Sequence, residues 1–168
     1  MLADDKLFTG TQQMIGHDQA SHRARSSWFW SRQLIVSPDA FYGATGQELF
    51  AVGRAAYGAA SLRRKGLLDR KRDLTNQLKR AKQGPEAQLK QLQAQMDVLN
   101  GQIKEAEAKM AAGEMWRVRC DCEESLVLAG DVLLAGGEGK VSAFNAASGQ
   151  LLWTGEIDGK ARGLAVAD

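Results

Sequence analysis

The sequence predicts a mainly β chain with an α insertion, and three observations carry that prediction. Short apolar runs bounded by glycine turns recur along the chain, most clearly from Gly130 to Trp153 (GDVLLAGGEGKVSAFNAASGQLLW). A second copy of this unit lies at a constant offset of 92 residues, so that Asp39 falls on Asp131. Between the two copies, Ser61 to Ala112 is built from strong helix formers in a heptad pattern.

Each element follows from local chemistry. Val132-Leu133-Leu134 is an apolar run between Gly130-Asp131 and Gly136-Gly137, the signature of a short buried strand. The glycines from Gly136 to Gly139 suit a tight hairpin turn. Val141 to Phe144 is the return strand. Asn145 to Gly149 is a second turn, in which Asn and Ser hydrogen-bond nearby backbone and Gly adopts the left-handed region. Leu151-Leu152-Trp153 starts a third strand. Such strands are too short to stand alone and must stack on neighbouring units.

The earlier copy runs from Gln33 to Val52, with Leu49 to Val52 on Val141 to Phe144. Its turn and tryptophan do not follow at once, because Gly53 stands where the turn residue is expected. After the helical stretch, Met115-Trp116-Arg117-Val118 restores the tryptophan strand, 37 residues before Trp153. The insertion therefore splits one repeat of about 37 residues. A more degenerate copy, Ala3 to Thr11, overlays Ala129 to Gly137, with Met14-Ile15 as its return strand. Ser26 to Ser31 is the aromatic-richest stretch, read first as packing rings between units and second as a ligand- or partner-facing surface. The boundaries expected are residues 1–58 for one set of strands, 59–112 for the helical insertion and 113–168 for the second set.

Within the insertion, Leu89, Leu92, Met96, Leu99, Ile103, Ala106 and Met110 alternate spacings of three and four, and Leu67, Leu74, Leu78 and Ala81 form a weaker matching seam. Gly84-Pro85 marks a turn, with proline expected at the first position of the second helix. Two antiparallel helices in a coiled-coil hairpin follow, each roughly 35 Å long at 1.5 Å per residue.

Ala143 to Trp153 also carries a resemblance. With Ala143, Asn145, Ser148, Gly149 and Trp153 it resembles the A-x-D-x-x-T-G-x-x-x-W docking motif of the PQQ-like, quinoprotein-type β-propeller repeats, with Asn for Asp and Ser for Thr. The resemblance implies a partial β-propeller of PQQ/WD40-like blades, with Trp116 and Trp153 docking one blade on the next. Both ends of the chain fall inside blades under this reading. The chain is then expected to be a fragment, whose partners include the remaining blades of a longer protein. The family is typically bacterial and exported, which implies a periplasmic or cell-envelope location, although Met1-Leu2-Ala3-Asp4 begins no secretory signal.

Functionally, the sequence favours a non-catalytic scaffold for protein–protein interaction, with no cofactor expected. The alternative implied by the resemblance is a fragment of a PQQ-dependent dehydrogenase. That family carries a vicinal cysteine pair and calcium-binding acids, whereas Cys120 and Cys122 are separated by Asp121. The C-x-C spacing is no zinc framework, and mutual bridging across it is awkward. His17 and His22 lack further ligands nearby and read as a polar loop rather than a metal site. The glycines at 136–139 lack a following Lys-Ser/Thr and precede a strand rather than a helix, so they read as a hairpin turn rather than a phosphate loop.

Composition is that of an ordinary soluble chain, with 25% charged and 44% apolar residues and a net charge of +2 over 168 residues. No apolar run is long enough for a transmembrane helix. Charge is unevenly placed. Ser61 to Ala112 holds 12 Lys/Arg against 6 Asp/Glu, and the rest of the chain holds 10 against 14. The excess gathers in Arg63-Arg64-Lys65 and Arg70-Lys71-Arg72. This is read chiefly as a solvated helix face. The second reading is a contact surface for nucleic acid, an anionic surface or an acidic protein, or an oligomerising arm.

Overall fold

The computed structural model describes residues 2–3, 6–9, 13–21, 24–81 and 84–167. Among these residues there are three four-stranded antiparallel sheets and two long helices. The first sheet contains β1 (Leu2–Ala3), β2 (Lys6–Thr9), β3 (Gln13–Asp18) and β4 (Ala24–Trp30). The second contains β5 (Gln33–Val36), β6 (Ala40–Ala44), β7 (Glu48–Gly53) and β8 (Glu114–Arg119). The third contains β9 (Ser125–Ala129), β10 (Val132–Gly136), β11 (Glu138–Asn145) and β12 (Leu151–Lys160). Helices α1 (Arg54–Ala81) and α2 (Glu86–Ala112) separate β7 from β8.

The second and third sheets are copies in register, not only in sequence. Leu34 pairs with Gly43 and Phe41 with Val52, as Leu126 pairs with Ala135 and Leu133 with Phe144. Ala51 faces Trp116 across β7 and β8, as Ala143 faces Trp153 across β11 and β12. In both sheets the ladder slips immediately after that pair. A pairing interrupted by two helices therefore keeps the register of an uninterrupted one. The neck of the insertion is closed by backbone hydrogen bonds, from Gly53 N–H to the Gly113 carbonyl at 2.8 Å and from Arg54 N–H to the Asp39 carbonyl at 2.8 Å.

Strand alternation assigns the two faces of the second sheet to different partners. Ala40, Tyr42, Ala44, Leu49, Ala51 and Trp116 join Leu133, Ala135, Phe144 and Ala146 of the third sheet in one core. The intervening residues Phe41, Phe50 and Val52 point the other way and pack with Tyr57 at the start of α1 and Met110 near the end of α2. Burying each of these large side chains stabilises by about 1.5–3 kcal/mol.

The helices form the hairpin seam expected from the heptads. Leu67, Leu74, Ala81, Leu92, Leu99, Ile103 and Ala106 are buried together, with Leu68, Leu78, Leu89 and Met96 at the margin. α1 begins at Arg54, ahead of residue 59, because β7 passes into the helix without a linker. At 28 and 27 residues the arms are about 40 Å long rather than 35 Å. Pro85 caps α2 in an extended conformation (φ −61°, ψ 138°) instead of occupying its first turn, and its carbonyl accepts from Gln88 N–H at 3.1 Å.

The expected fold class, a mainly β partial β-propeller, is corrected. Helix and strand are both major components, and the sheets do not close as a propeller. The physical reason lies in the second sheet. The face opposite the third sheet, where another blade would stack, is covered by the root of the helical hairpin. The first sheet packs through β4 along α1. Among the described residues, none of its strands makes a comparable contact with β5–β12.

Candidate functional site

Trp116 is the best-defined junction in the molecule. It sits on β8 at 8% exposure, and its indole Nε1–H donates to the Ala146 carbonyl at 2.8 Å. The receiving surface is the turn between β11 and β12. Asn145 builds that turn: its Oδ1 accepts from the backbone of Ala147 (3.1 Å) and Ser148 (3.0 Å) and from the Ser148 hydroxyl (3.1 Å). Gly149 N–H closes the turn on the Asn145 carbonyl at 2.8 Å. Gly149 is required twice over, since its φ is +70° and a Cβ there would lie 2.6 Å from the Trp116 ring. Tyr42 lies against the same indole, with centroids 6.2 Å apart. Burial, then the Asp39 charge, raises the Tyr42 phenol above its ordinary value.

The structure thus brings Asn145, Ser148 and Gly149 together with Trp116 from the preceding sheet, while Ala143 lies fully buried beneath them. Trp153 holds the corresponding place on β12 but is 50% exposed, alongside exposed Leu151 and Leu152. Of the aromatic stretch, Trp30 is exposed at 61%. The expectation for the Trp28 and Phe29 rings lies outside the described residues, as does the one for His22.

Most of the basic residues singled out on α1 are spent on neighbours. Arg63 reaches Glu105 at 3.3 Å and Arg64 reaches Glu107 at 2.8 Å, both across the hairpin. Lys65 meets Asp69 at 2.6 Å and Arg72 meets the same carboxylate at 3.7 Å. The Lys65 hydrogen bond holds the Asp69 carboxyl below its ordinary range. Arg70 instead lines an open groove between the helices, with Asp73, Gln77, Gln95, Val98 and Gln102. Val98 is 64% exposed there.

The root of the hairpin was not singled out from the sequence. Tyr57 is buried edge-on to Phe41, with centroids 6.5 Å apart, and burial pushes its phenol up to about 12. Arg117 lies over Phe50 at 4.9 Å on the same face. The available signal was alternation: Phe41, Phe50 and Val52 make the second face of an antiparallel sheet apolar, and such a face needs a cover.

One further group of titratable side chains lies in the link from β8 to β9. Cys120 and Cys122 are unbridged and buried, whereas Asp121 between them is exposed. Their sulfur and carboxylate ligand atoms lie within 4.8 Å of one another. Lys140 Nζ pairs with Asp121 Oδ1 at 2.6 Å, and this bond lowers the Asp121 carboxyl. The thiols share a hydrogen bond that favours the thiolate at Cys122 and the thiol at Cys120, so their pKa values move down and up respectively.

No protein-family model matches the chain, and no curated protein matches it either. Among the described residues, no helix is long and apolar enough to cross a membrane.

Proposed function

We propose that the chain is an interaction scaffold, in which two packed sheets hold a helical arm that receives a protein partner. The observation that supports this reading most is the mounting of the arm. Its root is locked by the Phe41–Phe50–Val52–Tyr57–Met110 cluster and by the backbone bonds at Gly53 and Arg54. Beyond the root, Leu67 to Ala106 bury themselves on the opposite helix. The seam stabilises the arm and leaves the inter-helix groove around Val98 open.

The resemblance of Ala143 to Trp153 to PQQ-like repeats supports the scaffold part of the proposal, since in that family the tryptophan fixes one unit on its neighbour. A protein partner is favoured over nucleic acid because Arg63, Arg64, Lys65 and Arg72 already face carboxylates. Counterion release from phosphates needs cations that are free to move to them.

A photo-crosslinking residue at Val98, introduced in the native cell, tests this reading. The expected result is a discrete protein adduct that is lost when the probe is moved to Asp131, an exposed turn residue on the third sheet. Adducts at Asp131 with none at Val98 would assign binding to the sheets and overturn the role of the arm.

A further inference from the structure

The structure assigns a second role to the link between the packed sheets: we propose that Cys120 and Cys122 form a two-sulfur site for a soft monovalent metal ion, of the copper(I) class, with Lys140 as the charge-balancing cation.

The link between β8 and β9 turns Cys120 and Cys122 to the same side, with their ligand atoms within 4.8 Å of each other. That side is the core between the sheets. Cys120 is 7% exposed and Cys122 is fully buried, in the company of Leu133, Ala135 and Phe144. Both thiols therefore meet in a largely apolar space, where the Ser142 hydroxyl lies 4.0 Å from Cys122 Sγ. The site is nonetheless reachable. Cys120 lines one cleft with Gly46, Gln47 and Glu48, and a second with Lys140, Ser142 and Gln150.

The ligand set selects the ion. Hard divalent cations require six or more oxygens, and one carboxylate is at hand. Zinc in a structural site requires four ligands. Among the described residues the candidate grouped with the sulfurs is Asp121, which is already engaged by Lys140 at 2.6 Å. A soft d¹⁰ monovalent ion prefers thiolate sulfur and is satisfied by two of them. A covalent bridge is the poorer use of the same pair. Bridging two cysteines separated by a single residue is awkward within ordinary disulfide geometry.

Binding is a simple exchange. Each thiol loses its proton to solvent, the ion accepts an electron pair from each sulfur, and two protons are released per ion. The bis-thiolate complex carries one negative charge, and no oxidant or reductant is consumed. The Lys140 ammonium, shared with the Asp121 carboxylate at 2.6 Å, offsets part of that charge, and the buried position of the sulfurs keeps oxidising solvent away from the ion.

The test uses the reduced full chain under anaerobic conditions, titrated with copper(I) as its acetonitrile complex against bicinchoninate. The expected result is one copper per chain, with X-ray absorption showing two sulfur neighbours and no oxygen or nitrogen. Cys120→Ala and Cys122→Ala should each abolish retention, and Asp121→Asn should keep it. Lys140→Gln should weaken binding about tenfold, the scale of one surface-proximal charge interaction. The absorption spectrum of the unmutated chain keeps the proposal testable even where a core cysteine variant misfolds. Failure of the unmutated chain to retain copper, equal retention by the double alanine variant, or a preference for zinc that depends on Asp121 would each overturn it.

Discussion

Replacing Gly149 by alanine should be strongly destabilising, and the structure lets its cost be split in two. The residue has φ +70°, so any side chain there costs about 1–2 kcal/mol in backbone strain. The added Cβ would lie 2.6 Å from Cε3 and 2.7 Å from Cδ2 of Trp116. The indole cannot retreat freely, because its Nε1–H is held by the Ala146 carbonyl and its ring by Tyr42. Forcing that overlap costs about 1–3 kcal/mol more. The total, about 2–5 kcal/mol, is a large share of the stability of an ordinary domain. Gly130→Ala supplies the control, since Gly130 also has positive φ (+60°) but a Cβ there meets nothing within 4 Å. Urea unfolding followed by tryptophan fluorescence should place Gly149→Ala about 1–3 kcal/mol below Gly130→Ala with an unchanged slope. Equal losses for the two variants would refute the docking of Trp116 on this turn.

Other outcomes follow from the same contacts. Leu99→Ala, in the buried hairpin seam, should cost about 2–5 kcal/mol and speed amide exchange in α1 and α2, while Val98→Ala next to it should change neither. The cross-hairpin pairs Arg63–Glu105 and Arg64–Glu107 are exposed, so Arg63→Ala should shift stability by less than about 1 kcal/mol, and high salt should erase the difference. The Glu124 carboxyl is held below its ordinary value by the Lys160 ammonium at 2.8 Å, with Arg162 assisting. A lowered folded pKa gives stability that is present above the unfolded value and lost as pH falls through the folded one. Glu124→Gln should therefore flatten the pH dependence of stability below about pH 4.3, read by melting temperature across acid buffers.

Legibility in the sequence followed the range of the interactions. The seam from Leu89 to Met110 is local and periodic, and its buried residues are those the heptad spacing marks. The 92-residue offset between Gln33 and Ser125 was visible because both units keep the same strand and turn chemistry, and the observed registers repeat it pair by pair. Trp116 was placed on its strand by its distance from Trp153, although its real partner, the Ala146 carbonyl, is a tertiary contact with no local signal. The fold class failed for a related reason. Repeats in sequence show that units are alike, but not which faces stack. That choice was decided by Tyr57 and Met110, which lie at opposite ends of the insertion and meet only when the hairpin closes. The basic runs on α1 were legible as charge, yet their partners Glu105 and Glu107 lie on the other helix. The proximity of Lys140 to the Cys120–Cys122 link likewise depends on the third sheet folding back against it.

The hairpin root is packed into one face of the second sheet, where Tyr57 reports on it directly, while Tyr42 on the opposite face reports on the packing against the third sheet. Burial disfavours the charged phenolate, raising Tyr42 above 10.0 and Tyr57 to about 12. Because the folded values lie above the unfolded ones, the stability this burial reflects is present below pH 10 and declines above it. A spectrophotometric titration of tyrosinate absorbance, with far-UV circular dichroism recorded on the same samples, makes the measurement. While the circular dichroism stays native, the packed root predicts that Tyr57 ionises last, near pH 12 or together with unfolding, and the inter-sheet core predicts that Tyr42 also ionises above its ordinary pH. Two tyrosines titrating together near pH 10 in a chain that retains its native spectrum would contradict it.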